Sequence, residues 1–186
     1  MSLKKYKTIV IDPPWKQEMT GSYNKRENRA KGLDYNTMSI DEIGSMPIGN
    51  IADEGAHLWI WTTNQFLRDG FDLMEGWGFK YLAPIHTIKP SGIGNYFLHR
   101  TQTLLFGYYK KCIFGDDRYI PNIIEVPRPK RHSEKPQVAY DYIERISAPS
   151  RIDIFARKKR VGWDVWGDEV ESDIDMTSYR SSYVLD

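Results

Sequence analysis

The sequence predicts an α/β fold with a mostly parallel sheet, and three observations predict it. Short β-branched runs alternate with segments of helical periodicity along most of the 186 residues. No internal repeat, domain boundary or low-complexity segment interrupts this pattern. Hydrophobic residues make up 40% of the chain, which is enough for one core without disulfides. We therefore predict a single domain over residues 1–170 and, where periodicity is lost, a flexible tail at 171–186.

The predicted strands are short apolar runs bounded by turn residues. Residues 6–11 are β-branched and are followed by two prolines, which predicts a buried strand that ends before residue 12. Further strands are predicted at 56–63, 81–89, 103–109, 122–126 and 151–156.

Three helices are predicted between these strands. Ser39 and Glu42 stand three residues apart, the spacing of a capping box, and predict a short helix over 39–46. Residues 64–78 form a second helix that ends at glycines. Residues 135–146 form a third, with proline in the first turn, where a missing N–H costs nothing.

The composition excludes several classes of protein. Cys112 is the only cysteine, which excludes an internal disulfide framework and a cysteine-rich zinc site. The four histidines lack the spacing of metal ligands, so we predict no metal site. No apolar stretch approaches the roughly 20 residues of a membrane span, and we expect a cytoplasmic protein without membrane contact.

The charge distribution leaves a nucleic-acid partner open. The net charge is only +1, but basic residues cluster at 25–31, 128–132 and 157–160. A single cluster is typical of a solvated surface. All three clusters adjoin loops at which we expect a site, and this favours a contact with phosphates.

Residues 12–15, Asp-Pro-Pro-Trp, are the most specific feature at a predicted strand end. Pro13 has no N–H, so its segment presents carbonyl acceptors. Asp12 adds an acceptor-only carboxylate, and Trp15 adds a flat ring. This combination suits a planar ligand with an exocyclic amine, such as a nucleobase. In the alternative interpretation the prolines only end the strand and Trp15 covers the core.

The same residues predict a reaction. An aromatic amine is a poor nucleophile because its lone pair is delocalised into the ring. Hydrogen bonds from its N–H groups to the Asp12 carboxylate and a proline carbonyl would localise that pair, and the amine could then attack an electrophilic methyl group. Most of the rate would come from positioning and electrostatics.

The Asp-Pro-Pro-Trp motif resembles that of the adenine-N6 methyltransferases, a family that includes the catalytic subunit of the eukaryotic messenger-RNA enzyme and small phage and bacterial DNA enzymes. Further segments resemble the family in the same order: "YNTMSIDEI" at 35–43, "LWIWTTNQ" at 58–65, "GWGFK" at 76–80, "IHTIKP" at 85–90, "GIGNYFLHRTQTLLFG" at 92–107, "RHSEKP" at 131–136 and "RIDIFARKKRVGWDVWGDE" at 151–169. The resemblance covers about residues 6–170. It implies a Rossmann-like, S-adenosylmethionine-dependent fold in which the catalytic motif comes first and the cofactor strand last.

The resemblance also implies catalytic and substrate-binding residues. The catalytic set is Asp12, Pro13, Pro14 and Trp15. Asp12 would bind the target amine and the cofactor, and Pro13 would supply a carbonyl acceptor. Trp15 and Tyr35 would enclose a flipped adenine, and Lys16 would also bind the substrate.

A larger set is implied in binding S-adenosylmethionine. Its members are Asp12, Lys89, Ser133, Lys135, Arg157, Lys159, Arg160, Asp168 and Glu169. Ser133 and Lys135 are equally well explained as helix caps, and Lys159 and Arg160 as phosphate contacts. Asp168 departs from the asparagine usual in the family.

The function implied is methyl transfer to the N6 amine of adenine in DNA. DNA is favoured over RNA because the chain has no zinc fingers or appended RNA-binding region and resembles the compact bacterial and phage members. The alternatives are an RNA adenine-N6 methyltransferase, a non-catalytic nucleic-acid-binding partner subunit, and a methyltransferase for small-molecule amines. The choice of target sequence would depend on loops 16–34 and 91–101. A second subunit, in a homo- or heterodimer, would also contribute to it.

Overall fold

The computed structural model describes residues 3–16, 36–93, 96–115, 117, 119–127 and 135–179. Its strands are β1 (Tyr6–Ile11), β2 (Ala52–Thr62), β3 (Phe79–Ile93), β4 (His99–Tyr109), β5 (Ile123–Glu125), β6 (Arg151–Ile154) and β7 (Trp163–Trp166). They form one sheet in the order β5-β3-β4-β2-β1-β6-β7. The pairs of β1 with β2, β1 with β6, β6 with β7 and β3 with β5 are parallel, whereas β4 is antiparallel to both neighbours. The predicted α/β class with a mostly parallel sheet is confirmed.

The helices are α1 (Ile40–Gly44), α2 (Ile48–Ile51), α3 (Leu67–Gly76) and α4 (Gln137–Ile146), with 3₁₀ turns at Asn64–Phe66 and Met176–Ser178. The predicted capping box begins α1, since the Ser39 hydroxyl accepts from the Glu42 N–H and the Glu42 carboxylate accepts from the Ser39 N–H. Pro136 is the N-cap of α4 and precedes its first turn. The helix predicted from residue 64 begins at Leu67, after the 3₁₀ turn.

The sheet separates two buried clusters, because successive side chains of a strand point to opposite faces. Ile9 and Ile11 of β1 join the cluster beneath α1 and α3, whereas Val10 joins the cluster beneath α4. Both faces of the central strands are therefore covered, as parallel sheets require. No helix in the described ranges is long and apolar enough to cross a membrane.

Residues 171–179 correct the predicted flexible tail. Met176 and Tyr179 are buried in the cluster on the α1 side of the sheet. The Tyr179 hydroxyl donates to the Lys4 carbonyl at 2.9 Å, and the Asp173 carboxylate accepts from the Val165 N–H at 2.9 Å. A few scattered apolar side chains anchor this segment, so periodicity could not reveal it. Residues 180–186 lie outside the described part of the chain.

Candidate active site

Asp12 lies where the carboxyl ends of β1 and β6 meet. Its N–H donates to the Ile154 carbonyl at 3.3 Å, which extends the parallel pairing by one residue. Its Oδ2 lies 2.6 Å from Nζ of Lys135, just ahead of α4, and both side chains are partly buried. The open end of a parallel sheet is where ligands bind in this class of fold, and here it carries a paired carboxylate and ammonium.

A cleft of about 350 Å³, including its open mouth, adjoins this ion pair. It is lined by Asp12, Lys135, Tyr140, Asp153, Phe155, Ala156, Arg157, Lys158 and Arg160. Phe155 has a φ of +63°, and the chain turns there from the end of β6 into the basic segment that follows. Cations outnumber carboxylates in the lining.

Asp153 places a buried carboxyl group in the wall of the cleft. The Tyr140 hydroxyl donates to its Oδ2 at 2.7 Å. Burial raises the pKa of Asp153 to about 7, although the Tyr140 hydrogen bond and Arg160 act in the opposite direction. Burial also raises the pKa of Tyr140. The Arg160 guanidinium lies 3.4 Å from the centre of the Tyr140 ring, so the cluster is held by one hydrogen bond and one cation–π contact.

Lys89 brings a second ammonium toward Lys135. Burial, and after it the positive charge of Lys135, lowers the pKa of Lys89. Lys135 also lies 5.2 Å from the Trp61 ring. Lys89 is not part of the cleft lining, but its charge adds to the positive charge around Lys135.

Trp15 does not lie in the predicted position. Only 4% of its surface is exposed, and its ring stacks on Phe66 at 5.0 Å between centroids and 9° between planes. Its indole N–H donates to the Trp61 carbonyl at 3.2 Å. The ring is packed in the core, as in the alternative interpretation, and it presents no open platform for a base in this structure.

Comparison with known proteins identifies the family. A model of the MT-A70 family matches residues 6–169. The chain belongs to the MT-A70 family. This confirms the resemblance drawn from the Asp-Pro-Pro-Trp motif and the ordered segments after it.

Relatives from distant organisms match this MT-A70 chain over most of its length. The "Type II methyltransferase M.MunI" of Mycoplasma sp is 31% identical, and the match covers 90% of this chain and 78% of M.MunI. The "N(6)-adenine-specific methyltransferase METTL4" of Mus musculus is 29% identical over 90% of this chain and 38% of METTL4. The "N(6)-adenosine-methyltransferase subunit METTL3" of Danio rerio is 25% identical over 91% of this chain and 29% of METTL3. The chain thus spans well under half of the two METTL proteins.

The residues of the cleft fit S-adenosylmethionine, which the family implies. This cofactor carries a carboxylate, an ammonium and ribose hydroxyls on one flexible molecule. The cations of the cleft can bind the carboxylate of the cofactor. The Asp12 carboxylate can bind a cationic group or an N–H group. The Nε donor of Arg160 is buried without a hydrogen-bond partner among the described residues. A buried donor of this kind calls for an acceptor, and the cofactor supplies several.

The proline carbonyls of the motif already serve the backbone. The Pro13 carbonyl accepts from the Trp15 N–H at 2.8 Å, and the Pro14 carbonyl accepts from the Met38 N–H at 3.0 Å. These bonds hold the motif in one shape beside Asp12. Since a carbonyl oxygen has two lone pairs, the Pro13 carbonyl retains capacity for one further donor.

The other predicted cofactor residues divide into two groups. Arg157 lines the cleft and lies 3.4 Å from the Glu169 carboxylate. Lys159 instead pairs with Asp173 at 3.1 Å and Glu171 at 3.8 Å, on the C-terminal segment. In the structure Lys159 therefore makes ion pairs with the C-terminal segment and does not line the cleft. Its contact with the cofactor stays a prediction.

Four predicted residues either lie away from the cleft or fall outside the described part of the chain. Asp168 is exposed and is not part of the lining. Lys16 is exposed beyond the motif. Tyr35 and Ser133 lie outside the described residues.

Sequence reasoning missed Asp153, Tyr140, Phe155 and Lys158. Asp153 carried a usable signal, because it is a charged residue between Ile152 and Ile154 on a strand buried on both faces. A buried carboxyl needs a partner, and Tyr140 supplies it. Lys158 carried no such signal, since which side chain of a basic run faces the cleft depends on the turn at Phe155.

Proposed function

We propose that this MT-A70 protein transfers a methyl group from S-adenosylmethionine to the N6 amine of adenine in DNA. The observation that carries the proposal is the Asp12–Lys135 pair at 2.6 Å, at the carboxyl edge of the sheet and in the wall of a charged cleft. METTL4 is named as specific for N6 of adenine. M.MunI, of which the chain covers 78%, is named a Type II methyltransferase, and this favours DNA.

The cleft supplies complementary groups for each end of the cofactor. Lys135 and Arg160, with Lys89 close to Lys135, would bind its carboxylate. Arg157, braced by Glu169, would donate to the ribose hydroxyls. When bound, S-adenosylmethionine supplies a methyl group on a positively charged sulfur, which an amine lone pair can take.

Asp12 and Pro13 would act on the amine. The Asp12 carboxylate accepts one N–H of the adenine amine, and the second lone pair of the Pro13 carbonyl accepts the other. Both acceptors withdraw the hydrogens from the ring plane and leave the nitrogen lone pair for the methyl carbon. As the C–N bond forms, the bond between the methyl carbon and sulfur would break, and S-adenosylhomocysteine would leave with both electrons of that bond. The extra proton on nitrogen would pass to the Asp12 carboxylate or directly to water. The rate then derives from fixed acceptors and orientation.

Trp15 would act through the backbone in this scheme. Its ring is fixed by Phe66 and by the Trp61 carbonyl, and its N–H holds the Pro13 carbonyl. It is therefore a positioning residue for the proline carbonyls. Tyr35, which the family pattern assigns to the base, stays as the predicted stacking partner.

The test uses the purified full chain with S-adenosylmethionine carrying a labelled methyl group. Fragmented genomic DNA without methylated adenine serves as substrate, since it presents many target sequences at once. Nucleoside digestion and mass spectrometry should find labelled N6-methyladenine, and a matched RNA competitor should reduce the yield only weakly. Stronger inhibition by RNA than by unlabelled DNA would show that RNA, and not DNA, is the preferred substrate.

Calorimetry with S-adenosylhomocysteine, the demethylated cofactor, separates the catalytic from the non-catalytic interpretation. An active enzyme binds it and transfers the label. A chain that binds nucleic acid, binds no S-adenosylhomocysteine and transfers no label is a partner subunit, and the proposal is then wrong.

A further inference from the structure

The hairpin of β3 and β4 extends beyond the catalytic edge of the sheet. Thr62, the last residue of β2, pairs with Thr103 of β4, although β4 begins four residues earlier, at His99. At about 3.4 Å per residue, these four residues carry β4 roughly 14 Å past the end of β2. Asp12 follows β1, which ends at the same edge, because Ile11 pairs with Ile60. We call residues 89–93 and 96–101 the arm.

The arm is held as a paired ribbon. The Arg100 Nε donates to the Lys89 carbonyl at 2.9 Å, and Ile93 pairs with His99 across the ribbon. A Cβ atom at Gly92 would lie only 2.7 Å from the His99 carbonyl oxygen, so this close crossing requires glycine. The His99 ring lies 3.3 Å from the Asn64 amide, just after β2. These contacts hold the arm in place, and the last of them joins the residue next to the tip to the segment that follows β2.

The arm ends in an apolar tip, residues 96–98. Tyr96 is 95% exposed, Phe97 is 78% exposed and Leu98 is 69% exposed. Within the described ranges this is the longest run of consecutive exposed large hydrophobic residues. A contiguous apolar surface of this kind marks an interaction site.

The charge around the tip indicates the partner. No aspartate or glutamate occurs between Glu75 and Asp116, although the chain contains 25 acidic residues. The exposed side chains of His99 and Arg100 follow the tip directly. An apolar tip on an arm without negative charge is complementary to stacked bases between phosphate backbones.

We propose that the tip is a wedge that enters the base stack of duplex DNA and helps to extrude the target adenine. This inference rests on the proposed function and adds the step by which a paired base reaches Asp12. Phe and Leu are residues that unstack base steps when inserted, and an enzyme that modifies a ring amine must take that base out of the duplex. Arg100, which directly follows His99 beside the tip, would contact a flanking phosphate.

The first test compares Phe97→Ala with wild type on one DNA preparation, used as duplex and after heat denaturation to single strands. Phe97→Ala should lower the rate on duplex about tenfold, the scale of one lost base–aromatic contact, and leave the rate on single strands within about twofold. Phe97→Trp should restore the duplex rate. Tyr119→Ala is the matched control, because Tyr119 is a fully exposed aromatic on the loop before β5. Equal losses on both substrates, or no loss, would overturn the wedge.

The second test does not depend on methyl transfer. Duplex oligonucleotides of varied sequence carry 2-aminopurine in place of adenine, and its fluorescence rises when the base leaves the stack. Wild type with S-adenosylhomocysteine should raise the fluorescence, and Phe97→Ala should raise it less at equal occupancy. A rise without any methyl transfer would retain the wedge and reject the proposed function. Absence of a rise at saturating protein would reject the wedge.

Sedimentation velocity excludes a competing occupant of the tip. If the tip were a contact between two copies of this chain, Phe97→Ala would convert a dimer into a monomer. That result would overturn the wedge. An unchanged sedimentation coefficient supports it.

Discussion

The cleft beside Asp12 and the arm of β3 and β4 lie at one edge of the same sheet, yet they are built in opposite ways. In the cleft, groups are partly or fully buried and paired: Asp12 with Lys135, and Asp153 with Tyr140. On the arm, the tip residues are exposed and the strands extend past the rest of the sheet.

The difference follows from what each region has to bind. A small ligand that carries several charges is bound by groups already fixed in position, because little ordering is then left to oppose binding. A long polyanion requires surface and reach instead. Two aromatic residues show the contrast: Trp15 is buried and Phe97 is exposed. Substitutions in the cleft should therefore impair the chemistry or the fold, whereas substitutions on the arm should impair only the use of duplex DNA.

The largest effect is expected for Asp12→Ala. It removes the acceptor that orients the amine, and the transfer rate should fall about a thousandfold or more. Circular dichroism should show an intact fold. Asp168→Ala, an exposed carboxylate that does not line the cleft, is the control and should retain most of its rate. Near-normal transfer by Asp12→Ala would refute the role of the carboxylate.

Trp15→Ala sharpens the contrast between the two aromatics. The buried ring and its indole hydrogen bond are lost, so the free energy of unfolding should fall by about 3–5 kcal/mol. Phe97→Ala should change it by less than about 0.5 kcal/mol. Urea denaturation measures both values. Equal stability of Trp15→Ala and wild type would mean that the Trp15 ring is exposed in solution. That result would support the predicted stacking of a base on this ring.

Asp153→Asn tests the buried carboxyl through the pH dependence of stability. The pKa of Asp153 in the folded state, about 7, lies above its value in the unfolded state. At a pH between these two values, Asp153 is therefore protonated in the folded state and ionised in the unfolded state. Wild-type stability due to this group is therefore present at low pH and lost as the pH rises through 7. From pH 5 to pH 8 the wild type should lose about 2–3 kcal/mol relative to the variant.

The stability of the wild type must be compared with that of Asp153→Asn at each pH, because His57 also makes stability depend on pH. It is buried, and burial lowers its pKa to about 4, so its contribution to stability is lost as the pH falls below about 6.5. Wild type and Asp153→Asn share His57, and its effect cancels when their unfolding free energies are subtracted. A difference that stays constant from pH 5 to pH 8 would show that Asp153 keeps an ordinary pKa.

Lys135→Met is expected to have the smallest effect of these variants. Loss of one cation in the cleft should weaken binding of S-adenosylhomocysteine about tenfold in calorimetry, since one charge-assisted contact is lost. Lys159→Met is the matched control, because Lys159 pairs with Asp173 and Glu171 away from the cleft. Equal weakening by both variants would mean that the effect is one of overall charge.

Local patterns predicted most of the framework but not the packing of single rings. The run at residues 6–11 and the capping box of Ser39 are local features, and the structure places both as predicted. β7 and the ordered segment 171–179 were not predicted, because residues far away in the sequence stabilise them. The Lys4 carbonyl, which accepts from the Tyr179 hydroxyl, is one such partner.

The candidate site was predicted in part, for a similar reason. Asp12, Lys135, Arg157 and Arg160 meet at one cleft, as the motif order implied. The orientation of Trp15 could not be predicted, because the same Asp-Pro-Pro-Trp motif allows an open and a packed ring. Phe66, 51 residues further along the chain, makes the packed position favourable. Lys159 likewise turns toward acidic residues whose position depends on the fold of the C-terminal segment.

A crystal structure with S-adenosylhomocysteine tests the placement of the reaction most directly. We predict its carboxylate beside Lys135 and Arg160, its ribose near Arg157, and its sulfur facing the Asp12 carboxylate and the Pro13 carbonyl. Density for the molecule at any other part of the surface, with the Asp12–Lys135 pair unchanged and the cleft filled only by solvent, would contradict it.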